Sequence, residues 1–117
     1  MDGLIIKPYW LDLILKGKKT LEIRGSSTSK IGEKIYLIES RGKVKGTAVI
    51  DKTIPLNKKL WEQLQSFHKV ESSFEELLER YKKPYAWSLT NVAILKAPFD
   101  YEKHHGAVIW IKDVKKI

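Results

Sequence analysis

The sequence predicts an α+β domain: a small, partly closed β-barrel of five or six mainly antiparallel strands with two or three helices packed outside it. Three observations lead there. The chain has 117 residues, enough for one domain with a single modest core. Apolar runs of strand length recur between turn residues, while two stretches, one early and one past the middle, carry apolar residues at helical spacing. Strand and helix do not alternate regularly and no Gly-rich phosphate loop follows a strand, which excludes a doubly wound nucleotide-binding fold.

Taken in order, residues 3–7 (GLIIK) read as a buried strand, ended by Pro8. Proline fits the first position of a helix because its missing N–H has no partner there. The helix covers 8–16, with Asp12 and Lys16 four apart on the exposed side and Trp10, Leu11, Leu13, Ile14 and Leu15 free for burial. Gly17 stops it. A second strand, 19–24 (KTLEIR), leads through the polar loop GSSTSKIG to a third at 33–39, and the turn SRGK leads to a fourth at 44–54. Strands two to four read as an antiparallel meander. Leu60, Trp61, Leu64 and Phe67 recur with helical spacing, as do Phe74, Leu77, Leu78 and Tyr81. Ser72 with Glu75 marks the start of the latter segment as a capping box. Two more strands, 85–95 and 106–113, complete the single domain 1–117.

Composition narrows the function classes. With 43% hydrophobic and 31% charged residues the chain is a folded protein rather than a disordered one. No apolar run approaches the ~20 residues needed to span a bilayer, and the first residues lack a secretory signal, so the expectation is a cytoplasmic protein with no membrane partner. The absence of Cys excludes disulfides, thiolate catalysis and sulfur-bound zinc. No sign of a metal or organic cofactor is present. The net charge of +8 and pI of about 9.6 favour RNA or DNA as partner, although a lysine-rich surface kept for solubility has the same signature.

The stretch GKKTLEIRG, 17–25, carries the chemistry. Strand alternation puts Thr20, Glu22 and Arg24 on one side and turns Leu21 and Ile23 to the core, while Lys19, at the turn, can swing toward Glu22. One reading is a solvated face whose ion pairs are worth at most ~1 kcal/mol. The other is a recognition edge. There Arg24 offers a planar fork to a phosphate or a base edge, Lys19 a mobile point charge, and Glu22 an acceptor for an exocyclic amine or a counter-charge holding both cations.

The spacing G-x-K-x-x-E-x-R, met as Gly17, Lys19, Glu22 and Arg24 after a strand and a first helix beginning near IKPYW, resembles the ASCH domain family. Glu39-Ser40, the segment AWSLTNV, Pro98 and the terminal GAVIWI also lie where that family would have them. The resemblance implies a PUA-like barrel with a cleft between the first helix and the barrel, suited to a nucleotide or a short piece of RNA. Some members are similar to amidohydrolases that deacylate N4-acetylcytidine with a Lys, a Thr three residues later and a separate Glu. Others are RNA binders, RNA-cleaving enzymes or coactivator modules.

The expectation is therefore an RNA- or nucleoside-binding domain acting through Lys19, Glu22 and Arg24, with Ser40 and Trp87 as helpers and Lys7, Tyr9 and Arg41 bordering the cleft. A small hydrolase, N4-acylcytidine amidohydrolase-like or a metal-independent ribonuclease, is the alternative, with Lys19 and Glu22 catalytic. A protein-interaction module is a further alternative. Against the amidohydrolase, Glu22 stands where the resemblance implies Thr, and Thr20 follows Lys19 directly. A carboxylate beside Lys19 should also raise its pKa and weaken it as a base. Glu71 lies in the region of the separate acid. His68, His104 and His105 are not adjacent to the motif and lack metal-site spacing. Trp10, Trp61 and Trp110 sit in apolar patterns and read as core, which leaves Trp87 as the residue to stack on a base.

Overall fold

The computed structural model describes residues 1–106 and 109–117. In chain order the elements are β1 (Gly3–Ile6), α1 (Pro8–Leu15), β2 (Leu21–Arg24), β3 (Lys34–Glu39), β4 (Val44–Pro55), α2 (Lys58–Gln63), α3 (Gln65–His68), α4 (Phe74–Arg80), β5 (Tyr85–Phe99) and β6 (Trp110–Ile111). One six-stranded sheet, in the order β2-β5-β4-β3-β1-β6, curls into a half-barrel. Its pairs are antiparallel except β1 with β3, which are parallel. The long β4–β5 ladder changes register at three places, and such bulges add local twist that helps bend the sheet.

Alternation along the strands sends side chains to separate cores, of which two bear on the site. Trp87 and Leu89 of β5 join Leu4, Ile6, Leu37 and Ile50 beneath α1, whose Leu11 and Ile14 close that core. Ala86, one residue earlier, faces the opposite side with Leu21 and Ile23 of β2, where Trp61 of α2 and Leu77 of α4 cover them. The early helix and the helical insertion thus pack on opposite faces of one sheet, as a period of two requires.

The meander expected for strands two to four is corrected in one place. β3 and β4 form the hairpin, but β2 pairs with β5 at the far edge of the sheet. Both edges of β3 are taken, by β4 and by parallel β1, so the strand before it must find another edge. The nine-residue loop 25–33 is long enough to let it do so.

The helical stretch 60–67 is two short helices meeting at Leu64, making four helices rather than two or three. Of the strand expected over 106–113, the described residues show Trp110–Ile111 as strand, and Ala107 and Val108 lie outside the described residues. Gly17, at φ 76°, ends α1 in the left-handed region that only glycine enters at little cost.

The capping box of α4 is Ser73 with Glu76, one residue beyond the expected pair. The Ser73 Oγ accepts from the Glu76 N–H at 3.1 Å and the Ser73 N–H donates to Glu76 Oε1 at 3.1 Å. The preceding serine serves α2 instead, its carbonyl accepting from Trp61 Nε1 at 2.9 Å. Ser73→Ala is expected to cost about 1 kcal/mol, seen as a melting temperature lower by roughly 4 °C. An unchanged melting curve would show that the cap is not used in solution.

Candidate functional site

Lys19 follows the Gly17 turn, where its N–H and that of Lys18 both donate to the Leu13 carbonyl. The turn carries the Lys19 side chain inward instead of out to solvent. Its ammonium sits 4.7 Å from the centre of the Trp10 ring, donates to the His68 carbonyl at 2.6 Å and lies 3.7 Å from Glu22 Oε1. Glu22, opposite Trp87 in the β2–β5 ladder, turns its other oxygen to Arg24, which donates to it from Nη2 at 2.7 Å and from Nε at 3.2 Å. Arg24 Nη2 also donates to the Ile5 carbonyl at 2.9 Å, and its guanidinium lies 5.9 Å from the centre of the Trp87 ring. The side chains of Lys19, Glu22 and Arg24 are 1%, 7% and 14% exposed. Three charges thus converge in one buried cluster, a geometry far from the flexible surface pairs of a solvated strand.

Burial governs the cluster's acid–base chemistry. It pushes Lys19 down from 10.5 to about 8, and the charge and hydrogen bond of Glu22, which act upward, offset it only in part. Glu22 raises the pKa as expected, but burial outweighs it, so Lys19 is not the poorer base at neutral pH that the carboxylate alone would make it. Lys19 is also no mobile point charge: its ammonium is held on two sides. Arg24 likewise cannot present its full fork, since the Nε and Nη2 edge is taken by Glu22, and only Nη1 is without a hydrogen bond among the described residues.

The cluster forms the floor of a cleft of about 840 Å³, within the usual range for small-ligand sites. One wall is the start of α1, with Lys7 and Trp10, and another is the segment from Val70 to Tyr81, including Arg80. The helical insertion is therefore as much a wall as the first helix is. Ser40 and Trp110 close the rest.

Among the other expected site residues, Lys7, Ser40 and Trp87 line the cleft. Tyr9 is 67% exposed, packed edge-on against Trp10, and outside the lining. Arg41 is exposed at φ 62° in the β3–β4 turn and Glu71 is exposed, both outside the lining. Thr20 is exposed and uses its backbone to join Phe67 and Leu89, so it is not placed to stand in for the implied threonine. The lysine pairs Lys58-Lys59, Lys82-Lys83 and Lys115-Lys116 are also absent from the lining.

Trp61 is in the core as expected, but the other three tryptophans depart from their expected roles. Trp87 is 2% exposed and donates from Nε1 to the Ser26 carbonyl at 2.8 Å, so it is a supporting wall rather than an open stacking face. Trp10 and Trp110, expected in the core, are half-buried and line the cleft, and Trp110 stacks on Trp87 at 6.0 Å. His68 and Arg80 were not expected at the site. His68 is 49 residues from Lys19 in sequence, and no local signal could have joined them. Among the described residues no group of three or more His, Asp or Glu side chains is arranged to hold a metal ion, and no helix is long and apolar enough to cross a membrane.

Residues 4–99 match the ASCH domain family. No curated protein has a matching sequence. Among solved structures, the chain is similar to the ASCH protein of Zymomonas mobilis. It is 21% identical to that protein, with a TM-score of 0.67 over 83% of this chain and 71% of that one. Two single-substitution mutants of the same protein each align at 20% identity and a TM-score of 0.71 over 85% of this chain, covering 74% and 72% of theirs. With the family match spanning most of the chain and the same curled sheet in these structures, this protein belongs to the ASCH domain family.

Proposed function

We propose that this ASCH domain binds RNA or a nucleoside in the cleft whose floor is Lys19, Glu22 and Arg24. The observation that carries the reading is the burial of three converging charges on the lining of the cleft. Charges are expensive to desolvate, and clusters of this kind concentrate at functional sites. Around them stand flat aromatic walls, Trp10 and Trp110, suited to a base, and the rim cations Lys7 and Arg80, suited to a phosphate. Ser40 adds a hydroxyl, and Arg24 Nη1 a free donor. Titration with a panel of short single-stranded RNAs and with free nucleosides tests the reading. RNA binding is expected to weaken with salt at a log–log slope of roughly 0.7 per phosphate neutralised. A flat response with tight nucleoside binding would restrict the ligand to the cleft, and binding of neither would leave the interaction-module reading.

One observation favours a second reading, the amidohydrolase. A lysine held near pKa 8 is a usable general base, which an ordinary lysine is not. Glu22 in place of the implied threonine weighs against it. Turnover of N4-acetylcytidine, followed by absorbance and abolished in Lys19→Met, would promote the enzyme over the binder.

A further inference from the structure

His68 does not line the cleft, yet it is completely buried and both ring nitrogens are engaged. Nδ1 accepts from the Val70 N–H at 3.0 Å, so the ring proton sits on Nε2, which donates to the Trp61 carbonyl at 2.8 Å. The ring also stacks on Trp61, with centres 3.8 Å apart and planes 14° from parallel. The carbonyl of this same residue receives the Lys19 ammonium at 2.6 Å, the only hydrogen bond that ammonium makes to another segment among the described residues. Lys69, at φ 65°, closes α3 immediately afterwards, so the carbonyl and the ring bond to Val70 both lie at the turn that ends the helix.

We infer that His68 is a positioning residue of the cleft: its ring, fixed between α2 and the chain after α3, aims the carbonyl that holds Lys19, and protonating the ring releases that hold. The inference rests on the reading of Lys19 as a ligand-binding group. Its physical step is simple. A protonated imidazole donates from both nitrogens, so Nδ1–H would confront the Val70 N–H, and one of the two bonds anchoring the ring would be lost. From α2 the ring meets the Trp61 ring and carbonyl, and from the chain after α3 the Val70 N–H. The charge facing it is the Lys19 ammonium before β2, with Glu22 behind that ammonium. Burial, opposed by the bond to the Trp61 carbonyl and aided by repulsion from Lys19, holds the ring's pKa below 6.5. Acid would place a second cation beside the first.

The test follows the Lys19 Cε resonance and the His68 ring resonances by NMR in the ligand-free protein, from about pH 9 to about pH 5. The Lys19 resonance is expected to move twice, once near pH 8 with its own ionisation and again below pH 6.5 in step with the His68 ring. In His68→Gln, which keeps a donor toward Trp61 and cannot titrate, the second movement should vanish. A wild-type Lys19 that ignores the His68 titration overturns the inference, and this arm needs neither ligand nor variant. In a second arm, affinity for a short single-stranded RNA should fall with acid below pH 6.5 in the wild type, by no more than about tenfold at pH 5.5, and fall less in His68→Gln. Equal falls in both proteins overturn the inference. Binding by Lys19→Met as tight as by the wild type would overturn the ligand reading alone, since the resonance arm stands without it.

Discussion

Glu22→Gln is expected to destabilise the protein by about 3 kcal/mol at pH 7, at the low end of the range for removing one partner of a buried pair. The variant keeps the shape of Glu22 and removes the only negative charge between the Lys19 and Arg24 cations. Two contributions make up the loss. Arg24 exchanges two hydrogen bonds to a carboxylate oxygen, at 2.7 and 3.2 Å, for at best neutral ones, worth about 1.5–3 kcal/mol. Lys19 loses the one neighbour that raises its pKa, and it escapes by giving up its proton. Starting from a pKa of about 8, that deprotonation costs about 1 kcal/mol at pH 7, which caps its share.

The cap supplies a second check. At about pH 9 the wild-type lysine is already largely neutral, so the gap between variant and wild type should narrow by about that amount. Thermal unfolding at the two pH values measures both, with a melting temperature lower by on the order of 12 °C at pH 7. A variant that melts within a degree or two of the wild type would mean that the cations do not depend on Glu22.

Lys19→Met is expected to do the reverse, lowering ligand affinity at least about 100-fold while leaving the melting temperature within a few degrees of the wild type. Methionine fills the buried volume without a charge to desolvate, and Glu22 keeps its pair with Arg24, so the substitution leaves no buried charge uncompensated. Against that gain, the His68 carbonyl loses its donor, a penalty of about 1–3 kcal/mol. The two nearly cancel.

The wild type should also carry a pH signature that Lys19→Met lacks. The folded-state pKa of Lys19 lies below its ordinary 10.5, at about 8, so between those values the unfolded chain binds more protons than the folded one. Stability therefore rises with pH across that window, by up to about 3 kcal/mol from this residue. Denaturant unfolding of both proteins at about pH 7.5 and about pH 10 reads the difference. A large loss of stability with unchanged affinity would make Lys19 a structural residue. Arg24→Ala is a poorer probe than the sequence implies. It would leave Glu22 with Lys19 alone and strand the Ile5 carbonyl, so affinity and melting temperature should fall together.

The parts of this account that were legible in the sequence are those that depend on neighbours a few residues apart. Period-two alternation put Glu22 and Arg24 together on one side of a strand, and the structure keeps them so, with Leu21 and Ile23 in the core on the other face. Pro8 and Gly17 bounded α1, and Asp12 meets Lys16 at 2.9 Å. The cap of α4 was legible only to within a residue, because ESSFEE contains the capping spacing twice and the choice depends on what Trp61 takes. Trp10 and Trp110 were misplaced because an apolar pattern signals burial but does not tell a sealed core from the wall of a cleft.

What the sequence determined by itself was the α+β class and most of the order of strands and helices, which follow from local periodicity; Lys19, Glu22 and Arg24 stood out as candidates through the spacing that resembles the ASCH family. Tertiary structure alone decided that β2 pairs with β5 and that Glu22 sits between two cations. It also decided that Lys19 lies under Trp10 against a carbonyl 49 residues away. The reason is dielectric: how strongly a charge is held, and at what pH it is lost, depends on how much water its surroundings exclude. Those surroundings are assembled from segments that meet only when the chain has folded.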